Sequence, residues 1–198
     1  MDAQQLLTKG QVTYAEGCPP GSYDPQARLQ VMDEEGIDIS LLYPTIGICW
    51  EGHVQDPHLA TAYTRAYNRW LADFCRVDNE RLKPAGLMPM HDVNLAIDEA
   101  RRSVRDLGAV TLVLSNHPVN GRTWYDRYYD PFWAEAERLG VPVAFHGIQM
   151  AYQEHIGRRY MDNFALAHAV AHPVELMLAL GSMLTGGIFE RFPGLKAA

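Results

Sequence analysis

Cysteine is scarce and scattered. Cys18, Cys49 and Cys75 are the only three among 198 residues, and none belongs to a C-x-x-C pair. That excludes a disulfide framework and a cysteine-built zinc site, and it fits reduced thiols in the cytoplasm. No G-x-G-x-x-G follows the first expected strand and no P-loop occurs, which argues against nucleotide binding. Basic residues are the minority, 17 against 24 acidic, for a net charge of −7. This balance speaks against nucleic acid or an anionic membrane as partner. The first ten residues hold no apolar core of a secretion signal and contain Asp2, Gln4, Gln5 and Lys9. Long apolar runs are missing as well. Residues 165–180 come nearest, but His168, His172, Pro173 and Glu175 interrupt them, and a span needs about 20 mostly apolar residues. The expectation is a soluble cytoplasmic protein.

What is present is the composition of a packed domain, 47% hydrophobic and 21% charged. Residues 1–23 read as an N-terminal arm or loop, with turn material at Cys18-Pro19-Pro20-Gly21-Ser22. From Asp24 a regular sentence repeats. Asp24-Pro25, Asp56-Pro57, Asp92 and Asp130-Pro131 open helices, and Gly36, Gly108 and Gly140 close three of them. Apolar runs at 37–43, 84–90, 109–115 and 141–146 read as strands. Helical segments are expected over 161–171 and from Pro173 to about Thr185. Residues 194–198 look like the start of one more strand. Strands alternating with amphipathic helices imply a parallel sheet covered by helices. An open doubly wound sheet and a (β/α)8 barrel compete. Long strand-to-helix loops at 44–55, 116–129 and 147–160 favour the barrel, whose catalytic rim is built from them. A whole barrel takes about 250 residues, so the expected fold is α/β, a truncated (β/α)8 TIM-type barrel.

Histidines fall repeatedly at strand ends, where imidazole serves as a metal ligand or general base. His146 ends an apolar strand just before Gly147 and is the foremost candidate. His91 and His117 are weaker candidates for catalysis, with turn and loop roles as the alternative. His168 and His172 lie four apart on one helix face. The zinc-protease motif needs Glu directly after the first His, and Ala169 stands there, so packing is the preferred reading. Arg158-Arg159 could grip a carboxylate by bidentate contacts, and a solvated surface is the alternative. Trp70, Trp124 and Trp133 read as core or rim packing.

Taken together, several motifs resemble the amidohydrolase family 2 group, the relatives of aminocarboxymuconate-semialdehyde decarboxylase. They are Met32-Asp33-Glu34-Glu35-Gly36-Ile37-Asp38 leading into Leu41-Leu42-Tyr43-Pro44, Ala66-Tyr67-Asn68-Arg69-Trp70-Leu71, Arg81-Leu82-Lys83-Pro84-Ala85-Gly86 and Pro118-Val119-Asn120-Gly121-Arg122. Further on come Tyr129-Asp130-Pro131-Phe132-Trp133-Ala134, Val141-Pro142-Val143-Ala144-Phe145-His146, His172-Pro173-Val174-Glu175, and Gly187-Ile188-Phe189-Glu190-Arg191-Phe192-Pro193-Gly194-Leu195-Lys196. The resemblance implies a metal-dependent barrel of which residues 24–198 carry about strands two to five and the start of strand six. It implies a divalent ion, zinc first with manganese or iron as alternatives. That ion is held by a His-x-His or Glu-x-His pair on strand one, a His on strand five and an Asp near strand eight. Only the strand-five ligand maps here, onto His146, so the metal site is expected to be incomplete and the chain alone inactive. The implied activity of the parent is non-oxidative decarboxylation, or hydrolysis, of a small carboxylic acid or ring substrate. Asn116, Arg158 and His172 are candidates for substrate binding. The expected partner is a small molecule, with homo-oligomers allowed. The competing expectation is a non-catalytic barrel fragment that pairs its open edges with itself or a partner.

Overall fold

The computed structural model describes residues 17–45, 51, 53–147 and 162–198, and only the backbone of Phe164 and His168. A 3-10 turn at Pro20–Ser22 leads into α1 (Pro25–Glu35), β1 (Ser40–Leu42), α2 (Pro57–Cys75) and β2 (Leu82–Leu87). Then follow α3 (Val93–Arg105), β3 (Thr111–Ser115), α4 (Asp130–Leu139), β4 (Val143–His146), α5 (Phe164–Thr185) and α6 (Ile188–Arg191). The four strands are parallel and stand side by side in chain order. One more strand begins at the end of the chain. The Val143 N–H donates to Lys196 O at 2.8 Å, and the Ala198 N–H donates to Val143 O at 2.9 Å.

The sheet curls. In a flat sheet the outermost of four strands would be roughly 14 Å apart. Yet the Tyr43 ring, just past β1, lies 5.9 Å from the His146 ring at the end of β4. Residues alternate between the two faces. Leu112, Leu114 and Val143 point to the helices and share one core with Phe132, Trp133, Tyr129 and Met183. Ala85, Leu87 and Val113 form a separate cluster on the inner side with Tyr43. Trp124 and Trp133 are buried in the outer core, and Trp70 is half exposed.

The caps explain most helix starts. The carboxylates of Asp24, Asp56 and Asp92 each accept two backbone N–H groups of their first turns, which satisfies donors the helix itself cannot. Asp130 differs from its expected role. It occupies the first helical position, with Tyr129 as cap, and its carboxylate accepts from Arg127 at 3.0 Å and Arg191 at 2.9 Å. The final two expected helical segments are one helix. α5 runs through Pro173, because losing a single backbone donor does not outweigh packing along the rest of its length. The strands are shorter than their apolar runs, since Ile37 and Ile39 lie exposed beyond β1. Over Ala165–Thr185, α5 is also long and apolar enough to cross a membrane by length and composition alone. Its Ala179 and Met183 are buried in the outer core.

Neighbouring helices are clipped by buried acids. Glu99 of α3, 0% exposed, accepts from Arg65 at 3.1 Å and from the Asn68 amide at 2.8 Å. The same Asn68 amide donates to Leu87 O at 2.9 Å, and its oxygen accepts the Leu87 N–H at 2.9 Å. Between α3 and α4, Glu135 binds Arg101 and Arg138. Hydrogen bonds from Arg138, then Arg101, hold its carboxyl down to about 2.

Two stability outcomes follow. Replacing Asn68 by Leu leaves the Leu87 peptide and Glu99 short of partners inside the protein. The expected loss is about 2–4 kcal/mol by urea unfolding; a loss under about 1 kcal/mol would show that the bridge is dispensable. Glu135 has a folded pKa below its usual 4.5, so its contribution is complete above that value and fades as pH falls toward about 2. Glu135→Gln should flatten the acid limb of the stability curve between those pH values, and an unchanged limb would assign it to other groups.

Candidate active-site rim

The C-terminal ends of parallel strands are where such sheets place chemistry, because loops of free length meet there. Ser115 and His146 are register partners on β3 and β4, so their side chains share a face. That face is the inner one, as the contact of His146 with Tyr43 requires. The His146 Nδ1 lies 2.9 Å from Gly147 O. A carbonyl only accepts, so Nδ1 carries the proton and Nε2 keeps the lone pair. A backbone carbonyl behind one ring nitrogen is how proteins orient an imidazole for a metal on the other. His146 therefore fits a ligand's role. Among the described residues, no group of three His, Cys, Asp or Glu is placed to hold an ion.

His91, past β2, is buried at 8% exposure, and its Nε2 donates to Glu51 O at 3.3 Å. Burial lowers its pKa, and contacts with the backbone of Glu51 and Val54 pull it part of the way back. This imidazole ties the backbone of Glu51 to the rim. His117 is half-buried. Its Nδ1 donates to Pro118 O at 2.9 Å, and its backbone N–H donates to Ser115 Oγ at 3.1 Å.

Asn116 follows Ser115 and so turns to the other face, toward α5. It is 2% exposed, and neither amide atom has a hydrogen-bond partner among the described residues. It lines a cleft of about 260 Å³ with Thr123, Trp124, Glu175 and Ser182. The sheet thus separates Asn116 from His146. His172 is half-buried on α5, three residues ahead of Glu175. Arg158 and Arg159 lie outside the described residues, as does Cys49; Cys18 and Cys75 are free thiols.

The sequence reading passed over two rim residues. Tyr43, in the sequence merely the end of a strand, has its phenol pushed up by burial. Glu51 is 4% exposed with no hydrogen-bond partner for either carboxyl oxygen among the described residues. Burial pushes its pKa up to about 8, the neighbouring Ser115 hydroxyl pulling back a part. The signal was a lone acid directly after the apolar run Ile46-Gly47-Ile48-Cys49-Trp50.

With fold and rim in place, the kinship is plain. Residues 19–198 match the family described as Amidohydrolase, and the chain belongs to it. It is 30% identical over 174 residues to 2-amino-3-carboxymuconate-6-semialdehyde decarboxylase of Dictyostelium discoideum, covering 88% of this chain and 46% of that protein. It superposes on 2,6-dihydroxybenzoate decarboxylase in complex with 2,6-dihydroxybenzoate with TM-score 0.75 and 26% identity, over 86% of this chain and 53% of that one. For the fold alone, dihydroxybenzoic acid decarboxylase of Polaromonas sp. JS666, solved with bound manganese, gives TM-score 0.78 at 23% identity. There the match covers 100% of this chain and 61% of that one. The chain spans about half the length of the curated relatives it matches. The expected truncated TIM-type barrel is the observed fold.

His91 is expected to titrate below its ordinary 6.5. Since the folded state disfavours its protonation, His91 should subtract stability as pH drops below that value. Side-chain nitrogen NMR from pH 5 to 7.5 checks this, and a normal titration would show that His91 is not held neutral at the rim.

Proposed function

We propose that this chain is the part of a metal-dependent, non-oxidative decarboxylase that supplies one metal-binding histidine and the inner rim facing a small aromatic or unsaturated carboxylic acid. The observation that carries the reading is His146, on the inner face at the end of β4, its Nδ1–H given to Gly147 O and its Nε2 lone pair left for an ion. The decarboxylase names of the relatives support the class. Manganese in a relative supports a divalent ion and puts manganese ahead of zinc. A bound ion would supply Lewis-acid orientation of the substrate carboxylate. The chain's own residues set the stage for it. Gly147 fixes the His146 tautomer, Tyr43 packs beside the imidazole, and His91 pins the loop that carries Glu51. Loss of carbon dioxide leaves an electron pair on carbon that must take up a proton, and a rim acid or imidazole meets that need. Residues 24–198 act as one partial barrel domain, and the free thiols of Cys18 and Cys75 support a cytoplasmic setting.

A second reading rests on β1. It stands at one side of the sheet with Ile39 60% exposed and Leu41 also exposed. Such an edge invites pairing with another copy, and sedimentation of the chain would register self-association.

Manganese binding, followed by the ion's paramagnetic resonance, is the first test. His146→Ala should weaken binding by about tenfold or more, since each protein ligand contributes to affinity. In a complete barrel built around residues 19–198, release of carbon dioxide from 2,6-dihydroxybenzoate should require manganese and vanish in His146→Ala. Unchanged manganese affinity or persistent release in that variant overturns the reading.

A further inference from the structure

Glu51 is a buried titratable group to which the proposed chemistry assigns no contact with the ligand. A carboxylate buried this deeply and left without donors would be strongly unfavourable. As a carboxylic acid the same group holds one O–H donor, and neither carboxyl oxygen stands in full hydrogen-bond geometry with the Ser115 hydroxyl beside it. Its surroundings are built. His91 fixes its backbone from the β2 side. The Ser115 hydroxyl flanks the carboxyl from β3, and Ser115 is the register partner of the candidate metal-binding histidine. The titratable groups on the elements around it are Tyr43 after β1, His91 after β2, His117 after β3, Tyr129 ahead of α4 and His146 on β4. Among the described residues no lysine or arginine acts directly on the Glu51 carboxyl; Arg122, which shares Tyr129 with it as a neighbour, lies over the Tyr128 ring.

We propose that Glu51 is a neutral carboxylic acid on the inner side of the rim that gives its O–H as a hydrogen bond to an anionic oxygen of the ligand, a carboxylate or a phenolate. The assignment rests on the decarboxylase reading for the class of ligand, and on burial and missing partners for the donor. An uncharged acid suits that duty, because it donates to an anion without repelling it, where an ionised one would push the anion away.

The experiment is binding of 2,6-dihydroxybenzoate to the metal-free 198-residue chain, by calorimetry, for the wild type, Glu51→Gln and Glu51→Leu. Gln keeps a donor and loses the titration; Leu loses both. Wild-type affinity is expected to fall as pH rises past about 8, and the Gln variant should bind within about threefold of wild type with no such fall. Leu should bind about tenfold or more weaker, the loss expected for a hydrogen bond to a charged acceptor. Equal affinity of Leu and wild type, a pH profile shared by wild type and Gln, or no binding by the wild type each overturns the proposal. If Leu does not fold, by circular dichroism, the near-isosteric Gln series decides alone. A failure here leaves manganese binding at His146 standing. A failure of the manganese test leaves an anion site at Glu51 standing.

Discussion

The half-barrel hangs on one side-chain amide. Asn68 sits on the inward face of α2 and makes both hydrogen bonds of a missing strand neighbour to Leu87, one through its oxygen and one through its nitrogen. The nitrogen also reaches Glu99 and Ser103 of α3. Three consecutive elements, α2, β2 and α3, are thereby fixed at the C-terminal end of β2, where the rim begins. The backbone beyond Leu87 carries His91 three residues past Met88, so the position of His91 depends on where Asn68 holds the strand. Close packing enforces the same geometry beside it. A side chain at Gly86 would meet the Ser103 Cβ at 3.1 Å, so α3 lies against bare backbone there. Buried amides of this kind are costly when half satisfied and specifying when complete.

From that fixed point the acids set the spacing of the outer layer. Glu99 draws Arg65 and Arg102 to itself, and Glu135 draws Arg101 and Arg138. Each acid is buried and each arginine reaches partly into water. The charge on the acid is thus compensated without desolvating the cation fully, which avoids the larger penalty of a wholly buried pair. Among the described residues the inner-face groups named above include no such basic side chain. They include imidazoles, a phenol and the Glu51 carboxyl, and burial raises both the phenol and the carboxyl above their ordinary pKa values. The division is physical: permanent ion pairs outside hold the shape, and titratable groups inside are left for chemistry.

Most of the architecture could be read from the chain because its signals are local. Aspartate caps, closing glycines and apolar runs name the helices and strands one by one, and the repeat of that sentence names the parallel sheet. Asp130 misled because a Pro at the next position suits both a cap and a first turn; only the fold reveals Arg191, far along the chain, as its partner. Pro173 misled because the cost of a proline is local while the packing of α5 is not. At the site, His146 was legible as the polar end of an apolar strand. Asn116 was legible as a polar loop residue, but its face was not, since one step along a strand reverses direction. Glu51 left only a faint mark, a lone acid after an apolar run. Nothing in a lone glutamate announces burial, and its meaning arises only when β3 brings Ser115 beside it.

The rim also explains why one good histidine does not make a metal centre. His146 is oriented by Gly147 as a ligand should be, yet an ion of this class takes about three protein ligands with an open position. The described residues bring no second donor of His, Cys, Asp or Glu type into a group of three. The relatives reach about twice this length, and a barrel draws its ligands from strands all the way round. The described inner rim therefore holds one histidine fit for the proposed ion and no group that would complete its shell. What these residues hold in place without one is the inner wall of the rim, with Tyr43, Glu51, His91 and Ser115 positioned by hydrogen bonds and packing within the chain. The proposed metal site and the proposed anion contact thus have separable physical origins in this half of the barrel, the first limited by ligand count and the second resting on burial.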